Sequence, residues 1–226
     1  MKNTNGKIVL AHCGFFDYKC REKYRENSKE VCELATKKDY VDIIELDVRK
    51  SKDGIIYCYH GNWFFYNISS KFPKDFSTLK QKYNVDSLKD VLSVIIEDKI
   101  IFLDIKDTNV TREDILSCFK NKKLKKIILG NKSPSYLKRF YSMPNNFVKI
   151  FNGNIFCKFY NLKKLKKDNF RYFEVVFPFQ ISNDIIKKTR DNSPEFRCAS
   201  LFFKNKKSYF KKINKYNVKH ITSDFL

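Results

Sequence analysis

Short β-branched and aromatic runs recur along this chain, and most are followed by a Lys-rich amphipathic stretch of helical period. The runs lie at 7–12, 42–48, 99–106, 126–130, 147–152, 172–179, 197–202 and 218–224, eight in all. Helices are expected between them at 28–38, 87–96, 111–120, 134–142, 160–167, 183–190 and 205–216. Ser87, Thr111 and Asn183 stand where N-caps belong, each with an acidic residue in the turn that follows. Strands joined through helices pair in parallel, because the crossover returns the chain to the end from which it started. Eight such units in 226 residues predict a compact α/β fold, a (β/α)8 barrel. An open doubly wound sheet is the competing arrangement, but neither G-x-G-x-x-G nor a P-loop is present to serve one. A ninth run, 55–60, follows the Asp53-Gly54 turn signal and extends the second strand. The sequence stops at Leu226, directly after the eighth run, so the barrel is expected to lack its usual last helix. No Pro/Gly/Ser-rich linker interrupts residues 1–226, which are read as one domain.

A βα barrel carries its chemistry at the C-terminal ends of its strands. His12 ends the first run, and Glu45 and Asp47, two apart near the end of the second, point to one face. His60 ends the extension, Asp104 and Lys106 close the third run, and Thr222 and Asp224 close the eighth. Three buried carboxylates converging on one point are costly unless a cation compensates them. Hard oxygen donors suit one divalent cation, Mg2+ or Ca2+, better than zinc. Such a cation holds phosphate oxygens, and Lys106 adds a positive contact to the same group. A phosphodiester also needs its nucleophile deprotonated and its leaving oxygen protonated, which two imidazoles near neutrality can do. Two of the three histidines, His12 and His60, fall at these strand ends; His220 is read as structural.

The segments Ala11-His-Cys-Gly14, Arg25-Glu-Asn-Ser28, Ile44-Glu-Leu-Asp-Val48, Lys52-Asp-Gly54 and Tyr59-His60 occur in that order within residues 8–60. Together they resemble the N-terminal signature of glycerophosphodiester phosphodiesterases, roughly A-H-R-G, P-E-N-T, I-E-x-D-V, K-D-G and H-D. Phe102-Leu-Asp-Ile-Lys106 is similar to the family's later carboxylate-x-Lys strand, and Ile221-Thr-Ser-Asp-Phe225 to its final strand. The resemblance is dense over 8–60 and thin from 107 to 217. It implies a (β/α)8 barrel, with His12 and His60 as the acid/base pair and Glu45, Asp47 and Asp104 as metal ligands. It further implies Lys106 as a phosphate contact and Glu26 as a support near His12. The implied reaction cleaves deacylated phospholipid diesters to glycerol 3-phosphate and an alcohol. Related branches act on lysophospholipids or sphingomyelin-like lipids, often through a cyclic phosphate. The sequence departs from the pattern at Cys13, where Arg is expected, at Gly61, where Asp is, and at Arg25, where Pro is. Asp104 stands where many members have Glu. Cys13 removes a guanidinium that would grip phosphate, and Arg25 is the candidate replacement.

Trp63, in the aromatic stretch 61–66 beside His60, is a candidate contact for a lipid chain or choline-like head group. The charge of +21 is uneven, with 20 Lys/Arg against 19 Asp/Glu in residues 1–118 and 26 against 6 in 119–226. That basic half reads either as an anionic partner, including peripheral contact with an anionic membrane, or as solvated Lys-rich helix faces. Two alternatives to an active enzyme stay open: a catalytically degenerate barrel that binds phosphorylated ligands or anionic lipid, and a basic nucleic-acid-binding protein. Nucleic acid is nevertheless not expected, because no RNP, zinc-finger or helix-turn-helix signature is present. The apolar runs are far shorter than the ~20 residues of a membrane-spanning helix, and no secretory core follows Met1. Seven cysteines, an odd number without a C-x-x-C pair, argue for free thiols in a reducing cytoplasm.

Overall fold

The structure is a computed structural model that describes residues 6–61 and 74–153, strand segments 172–175, 195–198 and 220–222, and residues 211 and 214. Its parallel strands are β1 (Ile8–Ala11), β2 (Ile43–Lys50), β5 (Ile100–Ile105), β6 (Lys126–Asn131), β7 (Phe147–Gly153), β8 (Tyr172–Val175), β9 (Glu195–Cys198) and β10 (His220–Thr222). They pair in that order from β2 through β10, and β1 pairs in parallel with both β10 and β2. The eight thus form a closed ring, the barrel expected from the alternation of runs. Two antiparallel additions, β3 (Ile56–Cys58) and β4 (Asp86–Ser87), extend the far end of β2 as a small side sheet. Run 55–60 is therefore a hairpin return on β2.

The described helices are α1 (Cys20–Lys23), α2 (Lys29–Thr36), α3 (Phe76–Tyr83), α4 (Leu88–Ser93), α5 (Arg112–Phe119) and α6 (Pro134–Leu137). Ser87 caps α4, and Thr111 and Asp114 make a reciprocal capping box on α5, as their spacing predicts. The segment expected to be helical over 134–142 makes one α turn and then a 3-10 turn at Lys138–Phe140. The expected helices at 160–167 and 183–190, and all of 205–216 but residues 211 and 214, lie outside the described residues. So do Asp224, the segment after it and Trp63. None of the described helices is long and apolar enough to cross a membrane.

Strand periodicity sorts the barrel into two apolar regions. Val9, Ala11, Ile44, Leu46, Val48, Ile101, Leu103 and Ile127 face outward and pack against α2, α4 and α5 in the main core. Leu10, Ile43, Phe102 and Ile128 form a separate cluster with Ile8, Ile100 and Val148, plugging the barrel interior at its N-terminal end. Continuing the inward positions along each strand leads to His12, to Glu45 and Asp47, and to Asp104. The polar layer thus sits directly above the apolar plug, at the barrel mouth.

Candidate active site

The mouth is assembled by backbone register. Asp47 lies level with Asp104, and Asp104 with Gly130, so β6 contributes no side chain at the level of the two aspartates. Glu45, Asp47 and Asp104 each bring a carboxylate oxygen within 4.8 Å of the others. Glu45 and Asp47 are 3% and 1% exposed.

The turn after β1 supports this cluster. Cys13 and Gly14 both have positive φ, 53° and 81°, which turns the Cys13 N–H inward to donate to Glu45 at 2.7 Å. The Cys13 thiol donates to Asp47 at 3.3 Å. Asn27, wholly buried, clamps Asp47 at two points: its Nδ2 donates to the carboxylate at 2.8 Å, and its Oδ1 accepts the Asp47 N–H at 2.9 Å. The Asn27 N–H in turn donates to the Cys13 carbonyl at 2.8 Å. Gly14 is required on two counts, since a Cβ there would lie 2.8 Å from Val31 and 2.9 Å from the Cys32 sulfur of α2.

Electrostatics divide the carboxylates. Burial, reinforced by the Asp47 charge, pushes Glu45 up to about 8. Burial would raise Asp47 too, but the Lys106 ammonium and His60 outweigh it and hold that carboxyl below its ordinary range. Lys106 is desolvated, yet the charges of Asp104, Asp47 and Glu45 keep its own pKa well above the usual value. It ion-pairs with Asp47 at 2.6 Å and with Asp104. One ammonium thus faces three carboxyl groups, and the raised pKa of Glu45 reflects burial first and the Asp47 charge second. All three donors are hard oxygens at one point, so the residues present fit a divalent cation.

Both predicted histidines stand at this rim. His12, half-buried, follows β1, and Arg21 of α1 places Nη2 3.4 Å from its Nδ1. His60 is exposed, and its segment is tied down by backbone bonds: the Tyr59 N–H donates to the Asp47 carbonyl at 2.9 Å. Glu26 is raised by burial and lowered by the charges of His60 and His12, placing it within the field of both rings. His220 pairs in register with Ile8, at the opposite end of β1 from His12. Arg25, the candidate replacement for the guanidinium missing at Cys13, is committed to Asp86 at 2.5 Å and to the Glu26 carbonyl. The guanidinium beside His12 belongs instead to Arg21.

Two supporting residues escape a reading of the sequence alone. One is Asn27, which lies inside the Glu-Asn-Ser motif beside the Glu26 that drew attention. The other is Arg49, 4% exposed, whose Nε donates to the Tyr59 carbonyl at 3.0 Å and Nη2 to the His60 carbonyl at 2.9 Å. Its Nη1 ion-pairs with Asp107 at 2.8 Å, joining the His60 segment to the end of β5. Gly61, in place of the expected Asp, has φ 80°, and a Cβ there would lie 3.2 Å from Arg49 Nη2. Beyond Lys106 a cavity of about 340 Å³ opens between His60 and the ends of β5 and β6.

The chain matches no model of a known protein family and no curated protein sequence. Solved structures do match it over nearly its full length. A glycerophosphodiester phosphodiesterase from Thermotoga maritima is 21% identical with a TM-score of 0.69, covering 96% of this chain and 95% of that one. One from Agrobacterium tumefaciens is 15% identical with a TM-score of 0.68, over 96% and 97%. A phosphodiesterase from Oleispira antarctica, solved with its product sn-glycerol-3-phosphate, is 14% identical with a TM-score of 0.73, over 96% and 92%. At these identities the likeness carries the fold, and the chemistry must be argued from the residues.

Proposed function

We propose that this protein is a divalent-cation-dependent phosphodiesterase that cleaves glycerophosphodiesters, releasing glycerol 3-phosphate or a cyclic phosphate and an alcohol. The observation that carries this reading is the trio of buried Glu45 and Asp47 with partly buried Asp104, braced by Lys106, at a barrel mouth flanked by His12 and His60. Glu45, Asp47 and Asp104 would hold Mg2+ or Ca2+. When bound, that ion neutralises phosphate oxygens and offsets the charge that develops on them.

The chain's own groups supply the rest. Lys106 presents its ammonium to a phosphate oxygen from the side of Asp104. One imidazole of the His12/His60 pair takes the proton from the attacking hydroxyl, whether of water or of the substrate. The other gives a proton to the departing alkoxide as the P–O bond breaks. Glu26 stabilises whichever ring is cationic. Arg21, beside His12, stands where it can meet the phosphate in place of the guanidinium absent at Cys13. The solved folds point to the same substrate class, since one of them carries sn-glycerol-3-phosphate as product. A reducing cytoplasm is the compartment expected from the free thiols.

The test is turnover of glycerophosphocholine and lysophosphatidylcholine followed by 31P NMR in Mg2+ or Ca2+, with and without chelator, for wild type, His12→Ala and Glu45→Ala. We expect cation-dependent product that falls at least about a hundredfold in His12→Ala. Turnover surviving both chelator and His12→Ala, or none on any diester, would overturn the reading.

A further inference from the structure

The cavity beyond Lys106 has a chemical character of its own. At one end lie His60, Asp104 and Lys106; at the other lie Thr108, Lys132 and Ser133. Its volume of about 340 Å³ is near the lower end of ligand pockets, ~300–1,000 Å³, which is room for a small polar group. The wall between its two ends is fixed: Asn131 Nδ2 donates to the Ile105 carbonyl at 2.5 Å, and its Oδ1 accepts the Ser133 N–H at 2.7 Å. Asn131 thereby ties the end of β6 to that of β5 and sets the backbone from which Lys132 projects.

Charge in this cavity is one-sided. The one carboxylate among its described lining residues, Asp104, is already paired with Lys106. Among the described residues no carboxylate pairs with Lys132 and no Phe, Tyr or Trp ring lines the space. A quaternary ammonium group is recognised by carboxylates or by the faces of aromatic rings; the described lining holds one carboxylate, already engaged by Lys106, and no Phe, Tyr or Trp ring. An anionic group in this cavity would have Lys132 and Thr108 among its neighbours, a cation and a hydroxyl donor.

We propose that this cavity is the leaving-group subsite, and that Lys132 makes it selective for diesters whose leaving alcohol bears a second negative charge. The proposal rests on the phosphodiesterase reading and names its preferred substrate class. It is tested by comparing kcat/KM on three glycerophosphodiesters: glycerophosphoinositol 4-phosphate, with an anionic leaving alcohol, glycerophosphoglycerol, with a neutral one, and glycerophosphocholine, with a cationic one. We expect that order of preference, with the anionic substrate favoured over the cationic by about tenfold. Lys132→Ala should level the three, and Lys132→Glu should invert the order.

Preference for the choline diester in wild type, or an order unmoved by Lys132→Glu, would overturn the proposal. So would a choline preference that disappears in Trp63→Ala, which would assign head-group recognition to the aromatic stretch. If wild type turns over no diester, the phosphodiesterase reading has failed and the subsite is judged by binding alone. Inositol 4-phosphate should then still shift the Lys132 and Ser133 amide resonances, with its affinity reduced by Lys132→Glu. Affinity unchanged in that variant, or no shift at all, would overturn the subsite as well.

Discussion

Glu45 shows most directly how burial becomes function. Its carboxyl is raised from an ordinary 4.5 to about 8 by burial and by Asp47. A carboxyl raised in the folded state ionises first in the unfolded chain, so between those values the unfolded chain binds fewer protons. The stability that protonated Glu45 confers on cation-free protein is therefore full below about 4.5 and is lost as pH rises through about 8. Urea unfolding in chelator across this range should show the decline, and saturating Mg2+ or Ca2+ should flatten it; a pH profile identical with and without cation would contradict the account. Arg49 illustrates the opposite case, a residue whose role is invisible in sequence. Glu45 and Asp47 were legible because their two-residue spacing puts them on one strand face. Nothing in Val48-Arg-Lys50 announces that Arg49 will turn back to hold two carbonyls of the His60 segment. Replacing it with Met or Lys should lower kcat about ten- to a hundredfold with KM nearly unchanged, because a displacement of ~1 Å at a catalytic group costs that much. Steady-state kinetics check this, and unchanged kcat in a folded Arg49→Met would remove Arg49 from the mechanism.

At the level of elements, the turn between β1 and α2 does the most to shape the site. Two consecutive residues of positive φ aim the Cys13 N–H at Glu45, and Gly14 lets the turn rest against Val31 and Cys32. Gly14→Ala meets both a left-handed backbone and a Cβ overlap, so it should cost about 1–3 kcal/mol of stability. It should also weaken cation binding through Glu45. A urea midpoint equal to wild type would show that the turn tolerates a side chain. Capped elements were the readable ones: Ser87 and Thr111 mark α4 and α5 because their side chains accept N–H groups of the first turn. α3 was missed because Leu79 is its only buried residue, leaving almost no apolar stripe to detect. Its C-terminal Asn84, with φ 52°, was the one local signal available. The return of β3 along β2 was marked by the Asp53-Gly54 turn signal between the two runs.

Over the whole molecule, barrel closure turns separate strand ends into one site. His12 and Asp104 are about ninety residues apart in sequence. They reach one rim because β1 pairs with β2 and β2 with β5, each grouped with the Glu45 of β2 that lies between them in the ring. The alternation of runs was enough to predict that ring. The side-chain clamps within it were not, because Asn27 and Arg49 depend on contacts made after closure. The account's central claim is that the layer above the plug is a seat for one divalent cation, and the most direct measurement is Mn2+ binding followed by electron paramagnetic resonance. It predicts one saturable Mn2+ site per chain, displaced by Mg2+ or Ca2+ and lost in Asp47→Asn. A site of unchanged affinity in Asp47→Asn, or diester turnover by a chain that binds no Mn2+, would contradict it.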